Sequence, residues 1–269
     1  MSGEAEVVFG FNPVLAVLND DTRPVESLLM LQGVRSGRSR EVERLAGERG
    51  VRPKFVERVI LDRFTDGGVH QGVALRVAVR VQPTWETLLD RLEEQDDPVL
   101  LLLDGVEDPR NLGAILRSAE AFGVKAVILP KDRSAPLSSV AVKASAGAAA
   151  RVDTIRVTNL ARGIQELQDR DVRVVGLDGD APHRLDGGQE DWRGPIALVL
   201  GGEGRGLRRL TRERCDAVLA IPMTGAVGSF NVATAAAIAL YELRRRRAAE
   251  TAEVKRRTVP TNPQGKSHT

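Results

Sequence analysis

The chain has 269 residues, of which 42% are apolar and only 3% aromatic, and its formal net charge is +2. That composition suffices for one large domain or two modest ones with a core of Val, Leu, Ile and Ala. So few rings argue against an aromatic platform for stacked bases, and so small a charge does not by itself require a polyanionic partner. Cys215 is the only cysteine, which excludes an intrachain disulfide; the residue reads as a small inert hydrophobe near the start of a strand. No run of about 18 apolar residues is present to span a membrane as a helix. No basic segment followed by an apolar run opens the sequence, so the expected location is cytoplasmic.

Taken in order, residues 1–81 read as a small α/β unit. Val7–Phe9 predicts a short strand, and Pro13–Leu18 a helix. Val25–Leu31 predicts a second strand. Ser39–Arg49 predicts an amphipathic helix with Val42, Leu45 and Ala46 on one face. Lys54–Val56 and the alternating Val73–Val81 predict two further strands. Residues 66–72, Asp-Gly-Gly-Val-His-Gln-Gly, are a loop by composition. Residues 82–97 change character, with Pro83, a short helix over Trp85–Leu92 and an acidic stretch, and they read as a linker.

Residues 98–247 alternate strand and helix. Strands are predicted at Val99–Leu103, Ala126–Leu129, Val152–Val157, Val172–Leu177, Ile196–Leu200 and Ala217–Ile221. Helices are predicted near Leu112–Phe122, Ser138–Ala149, Asn159–Gln168, Leu207–Arg214 and Phe230–Arg246. Continuous apolar strands alternating with helices imply a parallel sheet covered on both faces. Residues 248–269 carry little apolar content and read as a disordered basic tail.

Three polar islands interrupt this apolar half: Asn111–Arg117, Gly201–Gly206 and Ile221–Asn231. Each follows a short apolar run and so falls at the carboxyl end of a buried strand, where open α/β sheets place ligands. A dinucleotide site would need G-x-G-x-x-G after the first strand of the unit, and Asp104–Gly113 has no such spacing. No phosphate-binding G-x-x-x-x-G-K-[ST] is present. Ser229 lacks the G-x-S-x-G elbow of a hydrolase, and none of His70, His183 and His268 lies in an island. No histidine or cysteine spacing suggests a metal.

The islands resemble the three signature motifs of the SpoU family of RNA ribose 2′-O-methyltransferases, within the knotted SPOUT superfamily. The motifs read Leu103-Asp-Gly-Val-Glu-Asp-Pro-Arg-Asn111-Leu-Gly-Ala-Ile-Leu-Arg117, Leu198-Val-Leu-Gly201-Gly-Glu203-Gly-Arg-Gly-Leu and Ile221-Pro-Met-Thr-Gly-Ala-Val-Gly-Ser229-Phe230-Asn231-Val. Lys131–Ala135 and Ile155–Ala161 further resemble the subgroup that methylates a guanosine of 23S rRNA. Phe9–Pro13 and His70–Gly72 resemble that subgroup's ribosomal-protein-like substrate-binding domain.

The resemblance implies an α/β fold with a C-terminal parallel sheet and deep trefoil knot, a small N-terminal substrate-binding domain, and a homodimer. It implies S-adenosylmethionine as methyl donor, with Gly201, Ile221 and Phe230 lining its pocket, and no metal. The implied partner is 23S rRNA or an assembling large ribosomal subunit. A tRNA guanosine methyltransferase and a non-catalytic RNA-binding homologue remain as alternatives.

Asn111, Arg117, Glu203, Ser229 and Asn231 are the catalytic residues so implied. The residues themselves leave other roles open. Arg117 would take the hydroxyl proton or, since a guanidinium pKa normally exceeds about 12, orient the hydroxyl for another acceptor; alone it reads as a helix-surface arginine. Asn111 and Ser229 could be helix N-caps. Glu203 could simply be solvated. His70 and Gln71 could form a satisfied turn or touch RNA. Arg244–Arg247 could touch phosphates or complement a helix dipole. The small residues of Ala233–Leu240 could pack in the core or across a dimer seam.

Overall fold

The computed structural model describes residues 5–20, 23–78, 82–95, 97–187, 191–204, 206–226 and 228–258, with side chains as far as Glu250. In the N-terminal part, β1 (Ala5–Phe9), α1 (Phe11–Leu18), β2 (Val25–Leu31), α2 (Gly37–Glu48), β3 (Pro53–Val56), α3 (Arg58–Phe64) and β4 (Val73–Ala78) follow one another. Their four strands form one sheet in the order β1-β4-β2-β3, with β4 antiparallel to both neighbours. Ser36 starts α2 through a reciprocal capping box with Ser39, which satisfies two otherwise orphaned N–H groups. The helix α3 was not anticipated, because its apolar residues do not face one way: Leu61 is buried while Val59 and Ile60 are exposed. The last residues of the predicted strand at Val73–Val81 lie outside the described residues.

Helix α4 (Trp85–Leu92) leads into the second sheet. Its strands are β5 (Val99–Asp104), β6 (Ala126–Pro130), β7 (Asp153–Val157), β8 (Arg173–Leu177), β9 (His183–Arg184), β10 (Ile196–Gly201) and β11 (Ala217–Ala220). They lie in the order β7-β6-β5-β10-β8-β11-β9, and every pairing is parallel. Between them run α5 (Pro109–Ala121), α6 (Ser139–Ala144), a 3-10 turn (Ala148–Ala150), α7 (Leu160–Gln168) and α8 (Arg209–Arg214), and α9 (Val232–Thr258) is the last element among the described residues.

The unbroken apolar strands serve two cores at once. Leu101 and Leu103 of β5 join Leu198 and Leu200 of β10 in one cluster with α5 and α9. Leu100, Leu102, Ala197 and Val199 join the other, with α4 and α7. Side chains alternate across a strand, so a run buried on both faces must be apolar at every position.

The C-terminal expectation needs correction. Helix α9 continues to Thr258, so residues 248–258 are helical rather than disordered; residues 259–269 lie outside the described residues. Arg244–Arg247 are not at a helix end. Arg247 donates to the carbonyls of Asp97, Trp192 and Gly194, and burial lowers its pKa. Arg244 donates to Phe122 O at 2.8 Å, and Arg245 and Arg246 share Glu242. These guanidiniums fasten the helix to the sheet domain or to Glu242.

Candidate active site

Strands β5 and β10 run side by side, and both deliver their carboxyl ends to the same edge of the sheet. Gly201 and Gly202 follow at the end of β10, and the turn folds back so that Gly206 bridges Gly202. A Cβ at Gly201 would collide with the backbone of Gly206 and Leu207, and one at Gly202 with the carbonyl of Gly105. Glycine is required at 201 because the chain's own backbone occupies the space a side chain would need.

This turn forms one wall of a cleft of about 670 Å³, within the range usual for small-molecule sites. Leu177, Leu200, Ile221, Met223 and Phe230 give it apolar surface, and the backbone of residues 201–204 and 228–229 gives it polar surface. Gly201, Ile221, Phe230, Glu203, Ser229 and Asn231 all line it.

Three residues far apart in sequence meet at its edge: Glu203 and Asn231 line it, and Asn111 lines the cleft that adjoins it. Asn111 Nδ2 and Asn231 Nδ2 both donate to Glu203 Oε1, the latter at 3.3 Å. Asn231 Nδ2 also reaches Asn111 Oδ1 at 3.1 Å. Asn231 Oδ1 accepts from the N–H groups of Ala233 and Thr234 at 3.0 and 3.4 Å. Asn231 therefore caps α9 and orients the carboxylate with one side chain. The alternatives read from sequence are corrected accordingly. Asn231, not Ser229, caps the last helix. Asp108, with Pro109 behind it, caps α5, so Asn111 lies inside that helix and is free to face Glu203.

Arg117 stands apart. It is on the exposed side of α5, opposite Leu112, Ile115, Leu116 and Ala119, and it is not among the lining residues of the cleft in its own chain.

Two cleft residues were missed from sequence. Asp178, just past β8, pairs with Arg212 of α8 at 2.5 Å, and both line the cleft. The signal was the Asp178-Gly-Asp180 run after an apolar strand, in the same position relative to its strand as the islands at Gly201–Gly206 and Ile221–Asn231.

The other candidates have structural partners. His70 is buried; its Nδ1 accepts from Gly72 N–H at 2.9 Å, so Nε2 carries the proton donated to Asp62 Oδ1, also at 2.9 Å. Gln71 Oε1 accepts from Phe11 N–H at 3.2 Å. His70 thus ties the 66–72 loop to α3, and Gln71 ties it to the start of α1. Burial pushes the Cys215 thiol up to about 12.

A family model described as the SpoU rRNA Methylase family matches residues 98–241. A second, described as RNA 2′-O ribose methyltransferase substrate binding, matches residues 7–80. The chain is 44% identical over 243 residues to the 23S rRNA (guanosine-2′-O-)-methyltransferase RlmB of Escherichia coli K12, covering 90% of this chain and 99% of that one. The SpoU methyltransferase AviRb from Streptomyces viridochromogenes, solved with the cofactor AdoMet, matches with a TM-score of 0.69 at 27% identity over 91% of each chain. A TrmH/SpoU tRNA modifying enzyme from A. aeolicus matches with a TM-score of 0.52 at 27% identity, over 62% of this chain and 86% of that one.

Proposed function

The chain belongs to the SpoU rRNA methylase family, and from that premise we propose that it methylates the ribose 2′-oxygen of a guanosine in 23S rRNA, with S-adenosylmethionine as donor. One observation carries the reading: Asn111, Glu203 and Asn231, from three separate segments, join at the edge of a glycine-walled cleft. Similarity to the rRNA enzyme extends over nine-tenths of the chain, whereas the tRNA modifying enzyme matches 62% of it. This favours rRNA over tRNA.

The residues present suit the donor. Leu200, Ile221 and Phe230 offer apolar surface for an adenine and a methionine chain, and the glycine backbone offers N–H and C=O groups without side chains in the way. When bound, the donor supplies an electrophilic methyl carbon on a sulfonium. The protein's own task is placement, which can contribute about 7–11 kcal/mol to such a transfer. Asn111 and Asn231 fix Glu203 in one orientation beside the cleft. Glu203, held at Oε1, has Oε2 left to receive a hydrogen bond from the substrate ribose. Ser229 lies where a ribose or phosphate oxygen would pass.

Arg117 enters this proposal through a second copy of the chain. In a homodimer, the exposed side of α5 from one protomer would bring its guanidinium to the substrate phosphate or hydroxyl at the other's cleft. The knotted path belongs to the same proposal; its support is that residues 201–204 and 206, and residues 221, 223 and 228–231, on either side of β11, return to one cleft. Cytoplasmic location belongs to the same proposal, with either 23S rRNA or an assembling large subunit as the partner.

The test has two parts. Calorimetric titration should show binding of S-adenosylmethionine. Ribose-methylation mapping in cells lacking the protein should show one guanosine of 23S rRNA unmodified. A lost tRNA mark with intact rRNA would overturn the substrate assignment, and absence of donor binding would overturn the reaction.

A further inference from the structure

A second cleft, of about 530 Å³, lies on the other side of Glu203 and shares Gly202, Glu203 and Gly206 with the first. A third, also about 530 Å³, continues from it past Asp104 and Arg208 to the start of α7. Arg133 lines both. Its side chain is exposed and makes no hydrogen bond or ion pair among the described residues. Its backbone is left-handed, with φ at 52°, a conformation uncommon for any residue but glycine and a sign that the surroundings impose it.

The surroundings do impose it. Lys131 N–H donates to Val157 O at 2.8 Å, and Ala135 N–H to Val106 O at 2.7 Å. Ser134 Oγ donates to Pro130 O at 2.5 Å. Arg156 reaches from β7 to Ser134 Oγ at 2.9 Å and to Ala135 O at 2.6 Å. The 131–135 loop is thus pinned at both ends, to β7 and to the loop after β5; Arg133 is its residue that lines both clefts, while Asp132 lines the third. Of the acids lining the two clefts, Asp104 accepts from Arg208 N–H at 2.9 Å, Asp108 caps α5 and Glu203 is held by Asn111 and Asn231, while Glu107 and Asp132 are exposed to solvent at the rims.

We propose that Arg133 is a binding residue for the RNA backbone: the second cleft carries the phosphate next to the target ribose, and Arg133 grips it. The assignment rests on the methyltransferase reading above. A planar guanidinium can hold a phosphate through two parallel hydrogen bonds, and a rigid loop supplies it at little ordering cost. The donor cleft and the phosphate cleft then lie on opposite sides of Glu203, so a ribose linked to that phosphate sits against the carboxylate.

The experiment compares R133G, R133A and R133K with the wild type, using S-adenosylmethionine carrying a labelled methyl group and a 23S rRNA transcript. Glycine accepts the left-handed backbone, so R133G should melt at or above the wild-type temperature. It should nevertheless raise KM for the transcript at least tenfold, with kcat changing less. Calorimetric affinity for the donor should stay within twofold. The slope of log K for RNA against log salt should fall by about 0.7–0.9 in R133G and R133A, the loss of one phosphate contact. R133K should recover the slope but only part of kcat/KM. Wild-type KM and salt slope in R133G would overturn the proposal, as would a loss of donor binding in either truncation. Failure of the wild type itself to bind donor would instead strike the reaction assignment.

Discussion

Asn231 offers a test that separates its two duties. Asn231→Asp keeps an oxygen that can accept from Ala233 and Thr234, so α9 stays capped, because Asp and Asn cap about equally well. It replaces the amide donor, now 3.3 Å from Glu203 Oε1, with a carboxylate. Two like charges at about 4 Å repel by about 1 kcal/mol in water and about 4 kcal/mol near a protein surface. Both residues are exposed, so the lower half of that range applies to stability. Positional loss is a separate matter: a shift of about 1 Å in a reacting group can cost about a hundredfold in rate. Asn231→Ala loses the cap as well, worth about 1 kcal/mol, which for a chain of this size lowers Tm by about 2–4 °C. Thermal melts should therefore show comparable losses for the two variants, about 1–2 kcal/mol each, whereas single-turnover methyl transfer to a 23S rRNA transcript should be at least tenfold slower than wild type in the aspartate variant. An aspartate variant with the wild-type rate at pH 8 would refute the idea that Asn231 positions Glu203 through its amide.

Three more outcomes can be checked. Gly201→Ala places a Cβ inside the backbone of Gly206 and Leu207, where no flexible side chain can give way; it should cost about 1–3 kcal/mol of stability and abolish donor binding by calorimetry, and retained affinity would show that the turn relaxes freely. The Glu166 carboxyl is held below the usual range first by the Trp85 indole N–H, at 2.5 Å, and then by Arg162. A lowered folded pKa contributes stability above the unfolded value of about 4.3 and loses it as pH falls through the folded one. Trp85→Phe should therefore cost about 1 kcal/mol at pH 7, and the gap from wild type should narrow in denaturant titrations below about pH 4; a gap that stays constant with pH would remove the hydrogen bond from the explanation. Cys215, with its thiol pushed up to about 12, should react with a disulfide reagent at pH 8 on the order of a thousandfold more slowly in the native protein than in denaturant. Comparable rates would mean that the thiol is not shielded.

Much of the fold was legible because its signals are local. The period of apolar residues marks Val25–Leu31 and Trp85–Leu92 with the same boundaries in sequence and structure. Continuous apolar runs such as Val99–Leu103 announce burial on both faces, and the structure divides their side chains between two cores. Where the pattern is weak, the reading failed. Helix α3 turns Val59 and Ile60 outward, β9 is two residues long, and the end of α9 has almost no apolar face to mark it. Arg244–Arg247 looked like a free cationic run; distant carbonyls of residues 97, 122, 192 and 194 accept from Arg244 and Arg247, and no local pattern announces those partners.

For the site, residue types and the strand-end positions of Gly201–Gly206 and Ile221–Asn231 were set by sequence, because a strand followed by a glycine-rich turn delivers polar groups to one edge of a parallel sheet whatever surrounds it; Asn111–Arg117 instead lies inside α5, one loop beyond the end of β5. Which of those groups touch one another was decided only in three dimensions. The shared hydrogen bonds of Asn111, Glu203 and Asn231 join positions separated by 92 and 120 residues, and they depend on β10 lying directly beside β5. The same geometry leaves Arg117 on the outer face of α5 and sets Arg133 in a pinned left-handed turn. Hydrophobic period acts over a few residues, whereas side-chain partnership is fixed by the order in which strands assemble.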